Sequence, residues 1–176
     1  KKEAKALRLA NEALRQQKMW LTLTIEKCND LVNLEGMLGT SDPYVRAVCM
    51  GPDKTPAPVE GGKNPQTSYK DADLNPVFGD RFTYEIDRLQ LKPGDGEGRM
   101  EIEVFNQDTA SSSSMGVVSV PLSRWADGIE HSQLELVQPG STEGSAGTVT
   151  VSVSVVSNDD KEKQWRAQRD REDAEK

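Results

Sequence analysis

The strongest constraint on this chain is a two-residue alternation of apolar and polar side chains that keeps returning between turns. Leu21, Leu23 and Ile25 alternate with Thr22 and Thr24, and Val45, Ala47 and Cys49 repeat the pattern. It recurs at Phe82, Tyr84 and Ile86, at Met100, Ile102 and Val104, at Val118, Val120 and Leu122, at Leu134 and Leu136, and at Val149, Val151, Val153 and Val155. Successive side chains of a strand point to opposite faces, so each run reads as a strand buried on one side. Turn formers separate the runs: Gly51-Pro52-Asp53, Gly61-Gly62, Asn75-Pro76, Pro93-Gly94-Asp95-Gly96, the serines at 111–114, and Pro139-Gly140. With residues 66–70 read as a further strand, about eight short strands at this spacing predict an all-β fold, an eight-stranded antiparallel β-sandwich.

The ends follow a different rule. Only 35% of the residues are hydrophobic, so part of the chain is expected outside the core. Residues 1–18 contain no Gly or Pro and are rich in Ala, Leu, Lys, Arg, Glu and Gln, which predicts a helix. Leu7 and Leu14 stand seven apart among Ala6, Ala10 and Ala13, a short heptad seam. Two readings stay open for it: a solvated helix leaving a domain, or the end of a coiled coil. Residues 158–176 carry thirteen charged side chains in nineteen and predict a solvated helix, with Asn158 and Asp159 as candidate N-caps. Trp165 is the one large apolar residue there and is expected to dock on the domain or on a partner helix. The division is therefore a helical extension at 1–18, a sandwich at 19–157 and a charged helical extension at 158–176. The chain starts in mid-pattern without Met, and a piece of a longer protein is expected.

Charge narrows the partners. Residues 1–18 hold six basic and two acidic side chains, net +4, whereas residues 19–157 hold ten basic and twenty acidic, net −10. A sandwich this acidic argues against nucleic acid and against unaided binding to anionic lipid. Cys28 and Cys49 with the single His131 rule out a disulfide framework and a Cys/His zinc site; both thiols are expected buried and reduced, in a cytoplasmic setting. No apolar run reaches the ~20 residues of a membrane helix, and the basic start is not followed by the apolar stretch of a secretory signal. No Gly-rich phosphate loop, zinc-binding His pair or nucleophile–base spacing is present, so no enzyme is expected. Asp95-Gly96-Glu97-Gly98 reads as a turn, because the further acidic ligands of an EF-hand loop do not follow it.

At Ser41-Asp42-Pro43-Tyr44-Val45 the sequence resembles C2 domains. Leu74-Asn75-Pro76-Val77-Phe78 followed by Arg81-Phe82-Thr83-Tyr84, and Val104-Phe105-Asn106-Gln107-Asp108 with Met115-Gly116, resemble two further patterns of that family in the right order. Together they span roughly residues 20–156. The order of the strands resembles the type II circular permutation. The resemblance then implies that the first and last strands are antiparallel neighbours and that the flanking helices leave side by side, opposite the calcium loops.

The resemblance also implies where calcium would bind. Calcium-binding members use about five carboxylates from two loops, in keeping with an ion that takes roughly six to eight hard oxygen ligands. Here Asp42 and Asp108 match, Glu35 lies nearest a third position, Asn106 replaces an Asp, and the serine run replaces another. The site is expected to be degenerate, with no cofactor, calcium being the one possible exception. Lys63 and Lys70 stand apart among Asp71, Asp73 and Asp80, so only the loop-tip residues Met37 and Leu38 offer a membrane contact. The expectation is a non-catalytic, calcium-independent C2 module in a longer coiled-coil, cytoskeleton-associated scaffold. It would bind proteins and self-associate through Leu7, Leu14 and Trp165. The alternative is a calcium-dependent or weak phospholipid-targeting C2 domain. The Pro- and Gly-rich stretch 51–64 is a candidate recognition loop or a disordered connection.

Overall fold

The computed structural model describes residues 2–35, 39–108, 112–139 and 145–175. Among these, helix α1 (Lys2–Arg15) leads into seven strands: β1 (Lys18–Asn29), β2 (Pro43–Met50), β3 (Val77–Asp87), β4 (Arg99–Gln107), β5 (Ser112–Pro121), β6 (Ile129–Glu135) and β7 (Thr148–Ser157). Helix α2 (Asn158–Ala174) follows. The strands form two antiparallel sheets, one in the order β3-β1-β7-β6 and one in the order β2-β4-β5. The expected sandwich is the architecture observed.

The alternating residues make the core. Leu21, Leu23 and Ile25 of β1, Tyr84 of β3 and Val149 and Val151 of β7 face Val45 and Ala47 of β2, Met100, Ile102 and Val104 of β4 and Met115 of β5, all fully buried. Each large apolar side chain gains about 1.5–3 kcal/mol on leaving water. Within β1 the alternation changes phase from Ile25 to Cys28, and the ladders explain it: both neighbours of β1 shift register between Ile25 and Lys27. Against β7 the shift leaves Glu26 as an extra residue, against β3 the extra residue is on β3, and Cys28 turns inward. Burial pushes the thiols of Cys28 and Cys49 up to about 12, so both stay protonated at neutral pH. Tyr84 carries its hydroxyl across the core, where it donates to the Ala47 carbonyl at 2.5 Å and ties β3 of one sheet to β2 of the other.

Expectations for three stretches between the strands need correction. The strand expected at 66–70 is an irregular lane along the open edge of β2. Ala47 N–H donates to the Pro65 carbonyl, Thr67 N–H to that of Val45 and Lys70 N–H to that of Pro43. Val45 N–H, however, bonds the Thr67 hydroxyl instead of a main-chain carbonyl, at 2.9 Å, which breaks the ladder. The serine run is not a loop throughout: Ser112, Ser113 and Ser114 open β5, paired with Gln107, Asn106 and Phe105, while Ser111 lies outside the described residues. Of the two readings of stretch 51–64, the disordered connection is the one corrected, because the stretch is an ordered strap. Pro56 bridges to Met50 and Ala57 N–H donates to the Cys49 carbonyl; two residues on, Val59 bridges to Tyr84 and Glu85 N–H donates to the Pro58 carbonyl. It thus closes the open side between the edges of the two sheets, and the Pro and Gly residues supply its turns.

The helices leave from paired strands, since Met19 sits opposite Ser157, but they settle on different surfaces. α1 rests against the 3₁₀ turn Arg88–Leu91, whereas α2 lies on β1 and β7. The N-cap of α2 is Ser157, whose hydroxyl accepts the Asp160 N–H at 3.2 Å, and not Asn158 or Asp159. Asn158 is diverted because its Oδ1 accepts the indole N–H of Trp20 at 3.0 Å. Trp165 meets Trp20 edge-on at 5.8 Å. The Lys161 ammonium lies 5.8 Å from the Trp20 ring and 5.3 Å from that of Trp165 and pairs with Glu60 at 3.1 Å. Lys161 keeps only 13% of its side chain exposed, so this cation–π contact is partly desolvated and stronger than one in open water.

Two outcomes test these contacts. Tyr84→Phe leaves the Ala47 carbonyl without the phenol and lowers unfolding free energy by about 1–2 kcal/mol in urea titration; an unchanged midpoint would show that the cross-sheet bond contributes nothing. Trp165→Ala removes an aromatic pair worth about 0.5–1.5 kcal/mol beyond its burial and speeds limited proteolysis within α2 by about tenfold, with the sandwich itself left intact. Unaltered cleavage would mean that α2 is held by its other contacts.

Candidate functional site

Four connections meet at one end of the sandwich. β1 finishes there at Asn29, β2 starts at Pro43, β4 finishes at Gln107, and Thr148 of β7 pairs with Asn29. Gly147 enters this end with φ +99°, and a Cβ on it would lie 2.6 Å from the Asn29 carbonyl oxygen, so only glycine fits.

The first connection is closed from within. Asn33 Oδ1 accepts N–H bonds from Ser41 at 3.0 Å and Glu35 at 3.1 Å and the Ser41 hydroxyl at 3.1 Å, while its Nδ2 donates to the Gly39 carbonyl at 2.8 Å. Ser41 is fully buried, and its hydroxyl accepts the Leu34 N–H at 2.8 Å. The second connection is pinned to the first. Asn75 Oδ1 accepts the Asp30 N–H at 2.9 Å, the Leu74 carbonyl accepts the Leu31 N–H at 3.1 Å, and the Pro76 carbonyl accepts the Cys28 N–H at 2.9 Å. The Leu-Asn-Pro motif is therefore a fastener for the first loop.

Asp42 and Asn106 join the remaining segments. Asp42 Oδ1 accepts the Ala72 N–H at 2.7 Å, where Ala72 holds a left-handed φ of +48°. The Asp42 carbonyl accepts the Gln107 N–H at 2.8 Å. Asn106 is buried, at 4% exposure; its Oδ1 accepts the Asp42 N–H at 2.8 Å and its Nδ2 donates to Glu35 Oε1 at 2.7 Å. Glu35, Asp42 and Asn106 thus come together as the sequence motifs imply. Asp108 lies exposed just past the end of β4. Met37 and Leu38 lie outside the described residues. Asn33 and Asn75 do not stand out as site residues in the sequence; their signal is an Asn within a loop flanked by backbone amides that have no strand partner.

The polar groups of Glu35, Asp42 and Asn106 are engaged with one another and with backbone. Calcium asks for a shell of oxygen acceptors, yet the buried group between Glu35 and Asp42 presents an N–H donor to Glu35. One Asp42 oxygen already accepts a backbone amide. Among the described residues, no group of three or more His, Cys, Asp or Glu side chains is placed to hold a metal.

Elsewhere, an open cleft of about 650 Å³ lies between α1, the strap and the turn after β3, lined by Arg15, Pro52, Pro56, Glu85 and Asp95 among others. Its walls mix both charge signs. His131, on the outer face of β6, contacts the Ser152 hydroxyl at 3.0 Å and Glu26 at 3.4 Å; it is a strand-edge residue in a polar row.

Comparison with known proteins agrees with the fold. The chain is 35% identical over 103 residues to "Protein kinase C, eye isozyme" of Drosophila melanogaster, covering 58% of this chain and 13% of that protein. It is 32% identical over 107 residues to Synaptotagmin-1 of Aplysia californica, covering 60% of this chain and 22% of that one. It therefore spans less than a quarter of the length of either relative. Among solved structures, a C2 domain of plant Extended Synaptotagmin 1 superposes with a TM-score of 0.60 at 18% identity, over 78% of this chain and 94% of that domain. The C2 domain family model matches residues 20–137, more than half of the chain, and the chain belongs to the C2 domain family.

Proposed function

We propose that this chain is a non-catalytic C2 module of type II strand order that binds protein partners without calcium. In this reading it sits between helical segments of a longer coiled-coil, cytoskeleton-associated scaffold in the cytoplasm. The observation that carries the calcium-independent part is the donor set at the loop end, where the Asn106 N–H and not a carboxylate faces Glu35. The acidic sandwich supports a protein surface over anionic lipid as the partner. Leu7 and Leu9 of α1 are more than half exposed, while Leu14 is half-buried. Self-association would therefore use the outer turns of α1, around Leu7. Trp165 is already engaged with Trp20 and contributes to the posture of α2.

Membrane targeting by calcium is the competing outcome, and one titration separates the two. Calcium is added to the full chain at physiological salt and followed by calorimetry, with a parallel sedimentation assay on vesicles rich in anionic lipid. The expected result is no saturable heat up to about 1 mM calcium, far above the sensor range, and no calcium-dependent sedimentation. Saturable binding with Kd of about 10⁻⁷ to 10⁻⁵ M would overturn the proposal and establish a calcium-operated module.

A further inference from the structure

The loop end is joined through a neutral side chain at a position where the family pattern has a carboxylate. Consecutive hydrogen bonds run from Glu35 to Asn106, from Asn106 to the Asp42 backbone, and from the Asp42 carboxylate to the Ala72 backbone. They tie the connection between β1 and β2 to strand β4 and to the segment before β3, and Asn106 in the middle is 4% exposed. Chemistry sets the orientation of its amide. The Asp42 N–H needs an acceptor and the Glu35 carboxylate needs a donor, and only one of the two amide orientations serves both. An aspartate at 106 would still accept the Asp42 N–H. It would have no hydrogen for Glu35 and would set a buried carboxylate against the exposed one of Glu35, where like charges in contact repel.

We propose that Asn106 is a built-in substitute for a bridging cation, holding the first loop against the end of β4 in one closed arrangement at any calcium concentration. The inference rests on the calcium-independent reading above and gives it a cause. Glu35 is the positioning partner, its side-chain oxygen accepting the Asn106 N–H at 2.7 Å.

A reciprocal exchange tests this. Asn106→Asp is expected to lower Tm by about 5 °C. Glu35→Gln alone keeps an acceptor oxygen and leaves Tm near that of the wild type. The double variant Asn106→Asp/Glu35→Gln reverses the direction of the bond, with the new carboxamide at position 35 donating to the new carboxylate at position 106, and recovers most of the loss. Calcium at about 1 mM raises Tm in Asn106→Asp alone, because only that variant gathers unpaired negative charge at the site. If Asn106→Asp does not fold, recovery of folded protein in the double variant supports the inference equally, and failure to recover it overturns the inference. An Asn106→Asp variant as stable as the wild type, a double variant no better than the single one, or Asn106→Asp indifferent to calcium would likewise overturn it. A calcium response of the wild-type chain would instead sink the calcium-independent reading, so the two failures are distinguishable.

Discussion

The antiparallel ladder between β1 and β7 is the constraint on which the rest of the molecule depends. It runs from Met19 opposite Ser157 to Asn29 opposite Thr148 and joins the first strand of the chain to the last. Because both strands are central in their sheet, their inner faces take the deepest positions in the core. The same pairing sends both helices off from one end and gathers the loops at the other. Strand pairing at such sequence separation carries a loop-closure cost, and burial of alternating Leu, Ile and Val on the inner faces offsets it.

Secondary ties then close what the ladders leave open. The strap at 56–59 reaches from the edge of β2 to the edge of β3, and the irregular lane at 65–70 covers the rest of the β2 edge. Exposed strand edges invite pairing with other chains, and covering them with local loops is one way a β protein avoids it. Tyr84 adds a polar bond through the core itself. The Gly- and Pro-rich composition of 51–64 is compatible with either disorder or tight turns; the neighbouring sheet edges select the turns.

The motif residues at the loop end act mainly as fasteners for backbone. Ser41, Asp42 and Asn75 each accept amide hydrogens that no ladder reaches. A family motif therefore speaks first to fold and only then to function, since the same residues stabilise loops with or without a bound ion. The carboxamide at 106 presents an N–H donor to Glu35, which a carboxylate at that position could not do.

How much was legible follows from the range of the interactions. Period-two alternation is a local property, so the sequence by itself determined the strands, the core-facing residues Leu21 through Val153, the sandwich class and the two helices. The family motifs likewise located Glu35, Asp42 and Asn106. Tertiary structure decided the rest. It placed the bulge that turns Cys28 inward, moved the α2 cap from Asn158 to Ser157 because Trp20 claims the Asn158 side chain, and engaged Trp165 within the chain. It made 66–70 an edge lane when the Thr67 hydroxyl took a ladder position. It also aimed the Asn106 amide at Glu35, 71 positions away in sequence. Each of these depends on which distant group reaches a buried donor or acceptor first, and spacing along the chain carries no record of that competition.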